Sequence, residues 1–475
     1  MDSIDESVAK LKGEVGGWEG IIYDWACEIA RKMTKAILEK IDKVLMKERP
    51  EGLKEEGLRE HWVTTIFGDV KIRRRLYRDK EGNSCFLLDK AMGLRKRSRI
   101  SPRIEEIATF LCSYLPFENC ERLLRAILPD GISHTTIHRL VSRVVDPYVE
   151  EEEKEIAEVY EDGVIPESEG RVVPYLMLEA DGTSIALQRE DKRRAEVKVG
   201  VAYEGWKMIG ADRYKLKEKT SYTGIMNGEK FWEGFSLALA KKYDLAEVGQ
   251  VIVGSDGAEW AKEGANHLGG IHQLDRFHLL RALRRGVRDE LVNMVYQACI
   301  KGNVAEADGL LRQAQEEASG EEPRRIAKLR GYLLNNANGL RDYRLETGYD
   351  GMRGLGGIES NVDKLIANRM KKRGMSWTER GAHRMARLIN LREMGELHQW
   401  INHRPEKQKS ISITEKKFKT KKCKMTKDSG QWLEADLPAI FGPHANHPWV
   451  RALRAISLGN RIVSVHSTGI QPTKS

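Results

Sequence analysis

In YLMLEADGTSIALQRE, from Tyr175 to Glu190, the acid Asp181 closes an apolar run and is followed by glycine. Leu176, Leu178 and Ala180 share one face of a period-2 element, and Glu179 and Asp181 share the other. The pattern resumes at Ser184, so the segment reads as a hairpin with Asp181 either its turn acid or a functional carboxylate. A second acid, Asp256, ends the continuous apolar run Val251, Ile252, Val253 and precedes Gly257 and a predicted helix. Such a run suits a strand buried on both faces. A third, Glu359, follows a glycine-rich turn at the start of a predicted helix whose apolar face is Ile358, Val362, Leu365 and Ile366. Alone, it would be a helix-start acid favoured by the macrodipole.

Ligands gather at strand ends in open α/β sheets, so Asp181 and Asp256 are candidates for one shared site. Converging carboxylates repel, and a divalent cation relieves that repulsion. Oxygen ligands suit Mg²⁺ or Mn²⁺, and two such ions about 4 Å apart can activate a nucleophile and stabilise the leaving oxygen in phosphodiester cleavage. Beside Glu359 lie Asn361 and Lys364, then Arg369, Lys371, Lys372 and Arg373, a cationic run suited to a DNA backbone.

Several elements must position these groups. One long amphipathic helix is predicted over Trp18–Lys47, a core or self-association face and a dimerisation candidate within residues 1–60. Residues 61–100 read as a small basic β-meander in which Arg73, Arg74 and Arg75 could lie against phosphates. Residues 101–149 open with Ser101-Pro102 and end in a glycine turn before a helix, a helix-turn-helix pattern with His134, Thr135, Thr136, His138 and Arg139 toward a DNA groove. A plain helical bundle is the competing reading. Residues 150–170 are acidic and read as a solvated linker. Strands and a helix then build an α/β core over residues 171–278, completed by helices over 351–400, with a helix-rich stretch over 279–350 between them. Residues 401–475 begin as a basic tail, with ten basic residues against three acids between Ile401 and Gly430.

Composition is consistent with a polyanionic partner. Lys and Arg total 80 against 71 acids, a net charge of +9, and the excess is concentrated, with twelve basic residues and three acids from Lys71 to Arg103. The six cysteines form no C-x-x-C pair, which argues against a disulfide framework or zinc finger and fits a reducing cytoplasm. No signal-like N-terminus or membrane-length apolar run is present.

The blocks EADGTSIALQRE, VIVGSDGAEW, LDRFHLLRAL and GIESNVDKLIANRMKKRGMSW resemble those of the ISLre-type bacterial insertion-sequence transposases, over about Trp62 to Arg387. This is a DDE family with a ribonuclease-H-like catalytic domain. The resemblance implies that Asp181, Asp256 and Glu359 are the metal-binding acids and that residues 279–350 match the helical insertion of Mutator-like enzymes. Asp275-Arg276-Phe277-His278 matches those enzymes' C/D-x-x-H motif, with His278 orienting the scissile phosphate or a base. Read from the residues alone, His278 is a core or capping histidine, and zinc ligation by His272, Asp275 and His278 lacks a further ligand. The resemblance further implies cleavage at terminal inverted repeats, strand transfer of 3′-hydroxyls into target DNA, and a homodimer or higher oligomer on DNA. The alternative is a catalytically inactive DNA-binding descendant of such an enzyme. A glycoside hydrolase would need aromatic sugar platforms, which are not evident at 7% aromatics.

Overall fold

The computed structural model of the chain describes residues 17–95, 98–211, 213–345 and 352–403. The basic tail beyond His403 lies outside the described residues. The described residues divide into two compact units, residues 17–148 with 391–403, and residues 149–390.

In the first unit, α1 (Trp18–Lys47) lies on β2 (Gly68–Arg78) of an antiparallel sheet with β1 (Lys54–Thr65) and β3 (Ser84–Cys85). Leu38, Val63, Val70, Ile72, Leu88 and Leu94 form their core. The predicted meander ends early, because Leu87–Ala91 is a short helix, α2, that seats Leu88 in that core. The apolar stripe Trp18, Ile22, Ile29, Met33, Ile37 and Val44 along α1 is exposed. Three further helices follow: α3 (Pro102–Cys112), capped by the Ser101 side chain on the Ile104 amide, α4 (Phe117–Ile127) and α5 (His134–Tyr160).

Much of the expected acidic linker is helix: α5 runs on to Tyr160. Two interactions hold it there. Lys154 bridges Glu158 at 3.2 Å one turn along, and in the second unit the Glu152 carboxylate takes the buried Arg387 guanidinium and the Tyr222 hydroxyl. A run of glutamates is therefore not a solvated face throughout.

The second unit is built on a mixed sheet of β4 (Tyr175–Leu187), β5 (Arg194–Tyr203), β8 (Thr220–Gly224), β9 (Gln250–Ser255) and β10 (Ile271–Leu274), in the order β10-β9-β4-β5-β8. The neighbours β4, β5 and β8 are antiparallel, whereas β4, β9 and β10 are parallel. A short strand, β11 (Ser376–Trp377), joins the far end of β4, and β6 (Trp206–Gly210) with β7 (Arg213–Leu216) makes a separate ribbon. Leu176, Leu178, Ala180, Val251 and Val253 pack with Phe231, Trp232 and Phe235 of α6 (Gly228–Ala240) and with Ala261 and Ala265 of α7 (Glu259–His267). Met177, Tyr203 and Ile252 belong to a second cluster with Tyr343.

The predicted turn at Asp181-Gly182 does not occur. β4 passes straight through it, with Asp181 opposite Val199 and Gly182 opposite Lys198. The glycine is there for space: a Cβ at Gly182 would stand 2.4 Å from a Glu196 carboxylate oxygen.

After β10, helices α8 (Arg276–Gly286), α9 (Asp289–Ile300), α10 (Val304–Glu317), α11 (Glu322–Asn335) and α12 (Ala337–Leu340) enclose their own core around Leu283, Val295, Leu311, Ile326 and Leu329. The chain returns in α13 (Ile358–Val362), continues as a π-helix over Asp363–Lys371, and ends the unit in α14 (Glu379–Glu393).

Candidate active site

Register brings the first two acids together. Ala180 pairs with Ser255 across the parallel β4 and β9, and Asp181 and Asp256 are the next residues on each. Asp256 stays at the strand end because its Oδ1 accepts the Ala258 amide at 2.8 Å and its carbonyl accepts the Tyr332 hydroxyl of α11 at 3.0 Å. Asp181 Oδ1 accepts the amide of Gly182 at 2.7 Å.

Glu359, exposed in the first turn of α13, faces the same space. Asp181 registers the company: its carboxyl is pushed up to about 6, first by burial, with the Gly182 amide and His278 pulling down and the Asp256 and Glu359 carboxylates pushing up. Asp181 thus feels both of the other carboxylates. They do not reach metal-bridging distance as they stand: among the described residues no three His, Cys, Asp or Glu side chains gather tightly enough to hold a metal. Asp181 spends one oxygen on its own strand.

His278 belongs to this group. Asp275, buried, caps α8 by accepting the His278 amide at 2.9 Å, and the same oxygen lies 3.1 Å from His278 Nδ1. A proton on Nδ1 is thereby fixed, which leaves Nε2 aimed at the acids, 3.9 Å from Glu359 Oε1. The Asp275 hydrogen bond raises the imidazole's pKa, burial lowers it, and Asp275, Asp256 and Asp181 raise it again. His272 plays no part here. Its Nε2 meets Ser255 Oγ at 2.9 Å, and burial pushes its pKa down to about 4.

The cationic residues separate into two sorts. Lys364, Lys371 and Lys372 are exposed, Lys371 reaching Thr183 Oγ1 at 3.3 Å and Lys372 bridging Asp363 at 2.8 Å. Arg369 is a correction: it is 3% exposed, with its guanidinium over Trp377 and bonded to the Met375 sulfur. In the i→i+5 register of the π-helix that position turns inward. Asn361 is buried too, bonding the Gly357 carbonyl at 2.8 Å and accepting from Lys219 at 3.2 Å. The Arg373 side chain lies outside the described residues.

In the first unit, Arg74 and Arg75 are likewise corrections. Arg74 is buried in a pair with Asp89 at 2.6 Å, and Arg75 bridges Asp42 at 2.5 Å and Glu55 at 3.1 Å, so both serve the fold. Arg73 remains exposed. His134 is tied to Glu121 through its amide and Nδ1, His138 lies edge-on to Phe117, Thr136 bonds Ser133, and Thr135 and Arg139 are exposed.

One residue was not anticipated in any role. Glu179, two residues before Asp181, is 1% exposed and receives four hydrogen bonds. Its only trace in the sequence is a second acid on the Asp181 face of an otherwise apolar strand.

Residues 18–409 match the model of UPF0236, described as an uncharacterised protein family. The chain belongs to the UPF0236 family. A UPF0236 protein in the vanSb 3′ region of Streptococcus gallolyticus is 29% identical over 371 residues, covering 75% of this chain and 78% of the relative. UPF0236 protein TTE2489 of Caldanaerobacter subterraneus subsp. tengcongensis is 24% identical over 406 residues, 82% of each chain. Among solved structures, a Drosophila P element transposase strand transfer complex aligns with 66% of this UPF0236 chain and 83% of its own, at 11% identity and a TM-score of 0.24, a likeness too slight to carry an argument. No described helix is long and apolar enough to cross a membrane.

Proposed function

We propose that this UPF0236 protein is a DDE transposase of the ISLre type, nicking phosphodiester bonds at the ends of its own element and joining the freed 3′-hydroxyls to target DNA. The observation that carries the reading is the register that sets Asp181 and Asp256 side by side on parallel neighbouring strands, with Glu359 of a returning helix 3.9 Å from the Asp275-oriented His278. The sheet order, three antiparallel strands continued by two parallel ones, supports a ribonuclease-H-like core, and the separate helical core after β10 supports an insertion before the last acid.

Asp181, Asp256 and Glu359 offer only carboxylate oxygens and an excess of negative charge, a donor set suited to Mg²⁺ or Mn²⁺. Bound there, two such ions would activate the attacking hydroxyl and stabilise the leaving oxygen. His278, its Nδ1 held by Asp275, in its protonated form donates from Nε2 to a non-bridging phosphate oxygen. The exposed Lys364, Lys371 and Lys372 hold the DNA backbone beside the acids, while Arg73, Thr135, His138 and Arg139 are the contacts of the helix-turn-helix region and its ribbon. Self-association through the exposed stripe of α1 completes the reading.

Incubating the purified protein with Mg²⁺ and terminal-repeat DNA tests the proposal. Nicking at the element ends supports it. A mobility shift without nicking supports a DNA-binding descendant instead.

A further inference from the structure

Glu179 touches each of the segments that carry the three acids, just upstream of each acid. On its own strand it stands two residues before Asp181. Across the sheet its register partner is Gly254, two residues before Asp256, where a Cβ would meet the Glu179 Cγ at 3.3 Å and Leu355 at 2.8 Å. From the returning chain, Glu179 Oε2 accepts the amides of Gly356 at 2.8 Å and Ile358 at 3.2 Å, and Oε1 accepts that of Gly357 at 3.1 Å; Glu359 is the next residue. The Tyr203 hydroxyl on β5 donates to Oε1 at 2.6 Å.

We propose that Glu179 is the positioning residue of the three-acid site, a buried carboxylate latch that fixes the start of α13, and with it Glu359, against Asp181 within β4 and Asp256 at the end of β9. The inference rests on the reading of those acids as one site. The physical case is that a carboxylate wholly removed from water must be satisfied by donors, and here three of the four are successive backbone amides that a loop would otherwise present to solvent. No other anchor of this kind is needed on the loop, because three amides to one rigid strand fix both its distance and its direction. Glycine at 254 is part of the device: it leaves the room above β9 that the Glu179 stem and Leu355 occupy. Glu179 itself stands behind the site, bonded on both oxygens, so it acts through Glu359 and not on substrate.

The test is Glu179→Gln in the full chain, read in three ways. An amide NH₂ in place of one oxygen opposes backbone N–H groups with another donor. Hydrogen–deuterium exchange at residues 356–358 is expected to rise by at least ~10-fold, since these amides lose a matched buried acceptor. Terminal-repeat cleavage is expected to fall by ~10- to 100-fold from misplacement of Glu359. The Mg²⁺ concentration giving half-maximal cleavage is expected to rise, with DNA affinity unchanged. Unchanged exchange at these amides overturns the latch, and so does fast exchange with cleavage and Mg²⁺ requirement intact. If the unaltered protein nicks no DNA, the transposase reading fails, and the exchange comparison alone judges the latch. Should Glu179→Gln not fold, Tyr203→Phe decides: removing one donor from an intact core gives the same changes on a smaller scale, and their absence overturns the proposal.

Discussion

His278 Nε2 stands 3.9 Å from Glu359 Oε1 while its Nδ1 is held by Asp275, so one imidazole links the cap of α8 to the acid of α13. That relationship places a proton-bearing group next to the three acids, with Asp275 alone spent on orienting it. His278→Gln should therefore lower cleavage by ~10²- to 10³-fold, within the range of a positioned proton donor or acceptor. DNA affinity should fall only slightly, by the loss of one phosphate contact among many. Single-turnover cleavage alongside a binding titration checks both; full activity in the variant would remove His278 from the site.

Asp256→Asn keeps the shape and the Ala258 amide contact but removes the charge. Cleavage should be abolished, because an amide holds a divalent cation far less well than a carboxylate does. DNA affinity should stay within about twofold, as Asp256 makes no favourable phosphate contact. Persisting cleavage would exclude Asp256 from the mechanism.

Asp89→Ala should destabilise the protein by about 3 kcal/mol or more, since it strands the buried Arg74 guanidinium without its partner. The slope of DNA affinity against salt should not change. Thermal unfolding and a salt titration measure the two; a stable variant with a steeper slope would return Arg74 to the DNA surface.

Burial holds the His267 imidazole down at about 4, below its ordinary 6.5, with Nε2 3.2 Å from the Tyr160 hydroxyl. The neutral form is the one the fold accepts. Its contribution is complete above pH 6.5 and is lost as the pH falls from there toward 4, where the unfolded chain takes up the proton first. His267→Gln should flatten the acid limb of the stability curve between those values, by on the order of 2 kcal/mol. An acid limb of unchanged slope would contradict the assignment.

Deleting residues 404–427 should reduce the slope of log affinity against log salt. Nine lysines from Lys407 to Lys427 would each displace counterions at a phosphate. Parallel lines for the full and shortened proteins would mean that this segment never meets DNA.

Period and local chemistry were readable in the chain itself. The 30-residue α1 follows from apolar spacing, the Ser101-Pro102 start of α3 from capping, and β9 from a short apolar run that stops at Asp256. The three acids could be singled out because each breaks an apolar pattern or opens a helix, although β4 runs on through Asp181, where the pattern had placed a turn. What those patterns do not contain is pairing between distant segments. Asp181-Gly182 looks like a turn until β5 lies alongside and Glu196 fills the space a side chain would need. Arg74 and Arg369 look like phosphate ligands until Asp89 and Trp377 bury them. Glu179 is one more glutamate until three amides from nearly 180 residues away close on it. Element type is set by interactions within a few residues, which sequence displays directly. The fate of a charge is set by which partner arrives to replace water, and only the tertiary structure decides that.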